Sequence, residues 1–159
     1  MNHSIKVGLN FGCTSGVITT LGLMVGLHAG TQSRLAVLGG IITIAIADAF
    51  SDALGIHVSE ESENIHSPKE IWQSTLTTFS SKLIFSSLFI IPVLLMDLKK
   101  AIVISLVLGY IILGISSYYL AKEQKIHPCK VMFEHLLIAT IVIILTHLIG
   151  DWVSLNLGT

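Results

Sequence analysis

Charge is what this sequence has least of. Only 12% of its 159 residues are Asp, Glu, Lys or Arg, against about a quarter in a soluble domain. A disordered chain and a water-soluble enzyme of ordinary surface chemistry are excluded on that ground. Nine basic residues against ten acidic ones leave a net charge of −1, so there is no basic face for DNA or RNA. Cysteine is scarce as well: Cys13 and Cys129 lie far apart, with no CxxC and no histidine at ligand spacing, and neither a disulfide nor a zinc site is expected. HExxH and GxSxG are both missing, which argues against an intramembrane enzyme. What fills the chain instead is hydrophobic residues, 52% of the total, with a mean hydropathy of +0.81. The bilayer is the expected solvent.

Five apolar runs are long enough to cross about 30 Å of hydrocarbon at about 1.5 Å per residue. They cover roughly 7–29, 35–58, 72–96, 101–121 and 130–153. Helices satisfy every backbone group internally, whereas a small open sheet leaves its edge unpaired in lipid. The expected fold is therefore an all-α membrane protein, a single five-helix domain over residues 1–159. The first run is too long and too glycine-rich for a secretory signal and lacks a small-residue cleavage site, so it reads as a span. Ser67-Pro68-Lys69-Glu70 predicts a capped helix start near residue 68. Pro92 predicts a kink late in the third span, and Lys82 in that span is expected to snorkel to the headgroups. If the spans alternate, Lys6, Lys69, Lys122, Lys125 and Lys130 share a side with the N-terminus, while Arg34, Lys99 and Lys100 lie opposite. The excess places the N-terminus in the cytoplasm and the C-terminus outside or in a lumen.

Two patterns within the spans carry chemistry. On the first, Gly8, Gly12, Ser15, Thr19, Gly22, Gly26 and Gly30 fall on one stripe of small residues. Such a stripe admits another helix closely, either from the same chain or from a second copy across a two-fold axis. The expectation is a homodimer packed along this helix, with Ser15 and Thr19 lining a polar path. On the second, Asp48 and Asp52 stand four residues apart on one face, with Ser51, Gly55 and Ser59 alongside. A carboxylate at membrane depth costs about 2.5–3.5 kcal/mol on insertion scales. Intramembrane acids bind a cation, carry a proton or pair with a base, and the one base within reach is Lys82; acids locked to Lys82 speak against cation passage and leave the helix packing unaffected. Beyond them Glu60, Glu61, Glu63, His66 and Glu70 form an acidic cluster, either a solvated connection or a means of concentrating a divalent cation. On the last span Thr140, His147 and Asp151 share a polar face, as an exit relay or as an interfacial histidine with a capping acid.

The stretch Gly12-x-x-x-Gly16-Val17-Ile18-Thr19-Thr20, followed by Ala47-Asp48-x-x-Ser51-x-x-x-Gly55-x-x-x-Ser59, resembles the vacuolar iron transporter family and its nodulin-like relatives. Five spans, the late proline and Thr146-His147-Leu148-Ile149-Gly150 extend the likeness over nearly the whole chain. The resemblance implies a homodimer moving ferrous iron or manganese out of the cytoplasm between the first two helices of each copy, in exchange for protons. The sequence departs from the family in three places. Thr14-Ser15-Gly16 stands where Asn-Asp-Gly is usual, Ser51-Asp52 where Ser-Met is usual, and Gly55-Ile56-His57 where Gly-Glu-Tyr is usual. A soft sulfur is thereby exchanged for a hard oxygen, which opens the preference to manganese, calcium or magnesium. The glutamate-rich cytoplasmic insertion of many members has no room between residues 59 and 71. The expected function is transport of divalent metal cations, with the metal as substrate, no permanent cofactor, and Asp48, Asp52, Glu60, Glu61 and Glu63 as candidate ligands. Ser15, Thr19, Ser51 and Ser59 are the candidate path-lining residues. The rival is a membrane scaffold of the same fold that has lost part of the site. Expected partners are the divalent cation, protons, membrane lipid and a second copy, with no nucleic acid.

Overall fold

Each apolar run forms a helix, and local signals set where it starts and stops. The computed structural model describes residues 3–157. Within them lie α1 (His3–Thr31), α2 (Arg34–Glu63), α3 (Pro68–Ser87), α4 (Ile90–Leu95), α5 (Leu98–Glu123) and α6 (Pro128–Leu157). Among the described residues five stretches are long and apolar enough to cross a membrane, the third being Pro68–Leu95, which joins α3 to α4. Ser33 caps α2 through its hydroxyl, which accepts from the Ala36 amide. At the far end Asn64 adopts the left-handed conformation, with φ of 55°, that commonly stops a helix. The Ser67–Glu70 capping box forms as the sequence predicts: Glu70 accepts from the Ser67 amide at 2.9 Å, and Pro68 occupies the first turn.

Pro92 also acts as expected. It has no N–H for the Leu88 carbonyl and its ring crowds that oxygen. The helix breaks at Leu88–Phe89, where tighter bonds from Phe89 to Ser86 and from Ile91 to Leu88 take over before α4 resumes. One boundary differs from the sequence reading. Residues 59–63 are helix rather than connection, so α2 continues a full turn further and the link to α3 is only 64–67.

α1 sits at the centre, packed against α2, α3, α5 and α6. Val17, Leu21 and Met24 of α1 meet Val37 and Ile41 of α2, Phe89 and Val93 beside the break, Leu113 of α5 and Ala139 of α6 in one core cluster. The glycine stripe makes this centrality possible, and it corrects the expectation of a dimer along α1. Gly8, Gly12 and Gly16 lie against the backbone of α3, while Gly22, Gly26 and Gly30 lie against Val142, Thr146 and Gly150 of α6. The seam is filled from within the chain, because α1 has neighbours on both sides of it. A Cβ at Gly12 would stand 2.6 Å from the Thr78 carbonyl oxygen. Gly12→Ala is thus expected to destabilise the fold by about 1–3 kcal/mol through overpacking against rigid backbone, measured as a drop in thermal stability in detergent.

Hydrogen bonds between helices complete the bundle. Tyr110 of α5 meets Thr140 of α6 at 2.6 Å, and Ser117 meets His135 at 2.8 Å. An ion pair between Lys6 and Glu123 ties α1 to α5, and Arg34 donates to the Met96 carbonyl at the opposite end.

Candidate functional site

Three helices bring one charged group or hydroxyl each to the same depth. Asp48 lies midway along α2, Lys82 midway along Pro68–Leu95, and Ser15 near the middle of α1. The α2 helix repeat adds Asp52 one turn from Asp48. α3 delivers Lys82 because its inward face is polar from Ser74 onward: Ser74, Thr78, Ser81, Lys82 and Ser86 are all buried. The lysine is fully buried, so the snorkelling expectation is corrected. It has no reason to reach the headgroups when two carboxylates lie within its grasp.

Lys82 Nζ stands 2.5 Å from Asp48 Oδ2 and also pairs with Asp52 Oδ2. It donates to Ser15 Oγ at 2.8 Å, and Ser15 in turn donates to Asp52 Oδ2 at 2.7 Å. Asp52 is therefore held twice. Asp48 is held once, through its ion pair with Lys82, and among the described residues its Oδ2 has no hydrogen-bond partner. With all three side chains ionised the cluster carries one net negative charge. The carboxylates retain 27% and 20% exposure, and Asp48 opens into a shallow hollow lined by Leu23, Gly40, Thr43, Ile44, Ala47 and Ser51. Of the two places the sequence allows Lys82, the headgroups or a pairing with the acids, the structure has the second.

The other expected site residues divide. Thr19 bonds back to the Ser15 carbonyl at 2.9 Å, so its hydroxyl proton is used within α1. Ser51 is exposed at the rim of the hollow, and Ser59 is exposed two turns beyond it. The acidic cluster is not one unit. Glu60 turns inward, buried, and accepts from Ser74 Oγ at 2.6 Å, whereas Glu61 and Glu63 remain exposed and Glu63 lies 3.5 Å from His66. The extra turn of α2 causes this split, since it rotates Glu60 onto the face that packs on α3. Asp48, Asp52, Glu60, Glu61 and Glu63 consequently do not converge on one ion, and among the described residues no group of three or more His, Cys, Asp or Glu side chains does. On α6, His147 and Asp151 lie 3.4 Å apart, half-exposed, toward the C-terminal end, while Thr140 faces α5 instead of joining them.

A second feature of α2 bears on the site. Gly39, Thr43, Ala47, Ser51, Gly55 and Ser59 recur every four residues, and all are exposed. A Cβ at Gly39 or Gly55 would meet nothing within 4 Å. Glycine inside a helix costs about 1 kcal/mol relative to alanine, and no packing within the chain explains these two. The exposed side of α6 is built differently, from Phe133, Leu137, Ile141, Leu145, Leu148 and Trp152, which suit lipid.

No family model matches the chain, and neither a curated protein nor a solved structure matches it.

Proposed function

We propose that the chain is a homodimeric membrane transporter that exchanges a divalent metal cation for protons at Asp48, Asp52 and Lys82. The observation that carries this reading is the charge imbalance at mid-helix: two carboxylates share one ammonium, and the less firmly held of them, Asp48, faces an open hollow. Ionisable groups inside a membrane segment are expensive and mark ion or proton pathways. A divalent cation arriving through the hollow meets Asp48 first. Its two positive charges turn the net charge of the cluster from −1 to +1, and loss of one proton from Lys82 restores neutrality. One metal ion in for one proton out thus leaves the site neutral and carries one net positive charge per exchange. Lys82 acts as the internal cation that fills the site when no metal is there. The basic residues on the N-terminal side support a cytoplasmic N-terminus, and export from the cytoplasm is the direction the family resemblance implies. The ligands are hard oxygens and an amine, without sulfur, which suits manganese, magnesium or calcium at least as well as iron.

The second copy belongs on the exposed small-residue ridge of α2, not on the α1 seam. A ridge of this kind lets backbones approach closely, and the approach covers carboxylates that otherwise border lipid. Uptake of Mn2+, Mg2+, Ca2+ and Fe2+ into proteoliposomes, with and without a pH gradient, tests the whole reading. The expected result is flux of at least one ion that rises with the gradient, and Gly55→Leu is expected to lower flux and the dimer fraction together. Flux equal to that of empty liposomes for every ion under both conditions overturns it.

The scaffold reading has one specific observation in its favour: Lys82 is already paired with both acids and, with Ser15, links α1, α2 and α3. On that reading purified protein binds no stoichiometric divalent ion at neutral pH.

A further inference from the structure

A separate groove opens between α2 and α3 toward their 64–67 connection. Phe50, Leu54 and His57 line it from α2, and Trp72, Leu76 and Phe79 line it from α3. Its deep end is aromatic, with the Phe50 and Phe79 ring centroids 4.7 Å apart. At the other end His57 meets Trp72 edge-on at 4.9 Å, and tryptophan favours the level where hydrocarbon gives way to headgroups. The groove therefore runs from acyl-chain depth to the interface.

The polar end has a defined hydrogen-bonding sense. Thr75 spends its only hydroxyl proton on the Ile71 carbonyl at 2.7 Å. Its oxygen is left as an acceptor, so His57 Nδ1, 2.9 Å away, is the donor and carries the ring proton. In the neutral imidazole that fixes Nε2 as an acceptor, and among the described residues Nε2 has no hydrogen-bond partner. One turn beyond His57 on the same helix face stands Glu61, and three residues before Trp72 stands Lys69. Both are exposed, and among the described residues neither takes part in an ion pair. Acceptors of negative or neutral character thus line the α2 rim, and a cation marks the α3 rim.

We propose that this groove binds a phospholipid with a primary-ammonium headgroup, of the phosphatidylethanolamine type. An acyl chain lies along Phe50, Leu76 and Phe79; the phosphate faces Lys69; the ammonium donates to His57 Nε2 and to Glu61. A trimethylated headgroup carries the same charge but has no N–H to donate, so the site discriminates between two zwitterionic lipids that bulk electrostatics treats alike. The inference stands apart from the transport reading, since none of its residues belongs to the Asp48–Asp52–Lys82 cluster.

Native mass spectrometry of the full-length protein, taken from nanodiscs holding equal amounts of phosphatidylethanolamine and phosphatidylcholine, tests it. Loss of a charge-assisted hydrogen bond predicts roughly tenfold enrichment of the ethanolamine lipid among retained adducts. The exposed Glu61→Gln substitution is expected to reduce that enrichment, and Glu61→Gln with His57→Phe to abolish it at unchanged helix content. Phe133→Ala on the outer face of α6 is expected to leave it unchanged. Adducts in the same ratio as the bilayer for the unsubstituted protein, or enrichment that persists in the double variant, overturns the proposal.

Discussion

Lys82→Leu is expected to destabilise the protein by about 3–5 kcal/mol, the penalty for removing one partner of a buried charge cluster and leaving its counter-charges unpaired. The lysine side chain is 1% exposed, and both carboxylates depend on it. Their residual exposure of 27% and 20% does not replace the charge that the lysine supplies. The penalty belongs to the orphaned carboxylates and not to the lost lysine. Lys82→Leu combined with Asp48→Asn and Asp52→Asn is therefore expected to recover most of the stability, since neutral groups of the same shape remove the unpaired charge. Thermal or denaturant unfolding in detergent measures both variants. A single substitution costing less than about 1 kcal/mol, or a triple variant no more stable than the single one, refutes the charge-cluster account.

The extent to which the sequence discloses this cluster depends on the kind of signal involved. Spans are legible because a long, predominantly apolar run is a one-dimensional property. The start of α3 and its break at Pro92 are legible for the same reason: Ser67, Glu70 and Pro92 act on backbone within four residues. Rotation and partner are not local. The α1 stripe shows that something approaches closely, yet α3, α6 and a second copy all satisfy that requirement equally. Lys82, taken alone in an apolar run, looks like a side chain to be carried to the headgroups. The signal that places it inside is the surrounding Ser74, Thr78, Ser81 and Ser86, a polar stripe on the one helix whose Ser/Thr content otherwise weakens it as a span. Glu60 is obscured by a boundary: reading α2 as ending near residue 58 puts it among wet neighbours, and five more helical residues put it against Ser74. The α2 ridge was visible only in part, through Ser51, Gly55 and Ser59, because an exposed small residue and a buried one look alike in sequence.

The two carboxylates are expected to respond unequally to neutralisation, and the inequality separates transport from scaffold. Asp52 accepts a hydrogen bond from Ser15 and one from Lys82, whereas Asp48 has only its charge contact with Lys82. Asp52→Asn therefore weakens two bonds to a charged group, each worth about 1.5–3 kcal/mol at full strength, and is expected to be the more destabilising change. Asp48→Asn removes no hydrogen bond, and it leaves Lys82 balanced by Asp52 in a cluster of net charge zero. Its effect on stability is expected to stay within about 1 kcal/mol of the unsubstituted protein. Its effect on transport is expected to be large, because the group that faces the hollow and supplies the surplus negative charge is gone. If the cluster is an exchange site, Asp48→Asn folds normally and loses at least tenfold in proton-linked metal flux. If the cluster is only a brace between helices, stability and every functional readout follow Asp52, and Asp48→Asn is silent in both. Flux and unfolding measured side by side on these two single variants decide between the readings, since an exchange site makes activity follow Asp48 where a brace makes it follow the hydrogen bonds of Asp52.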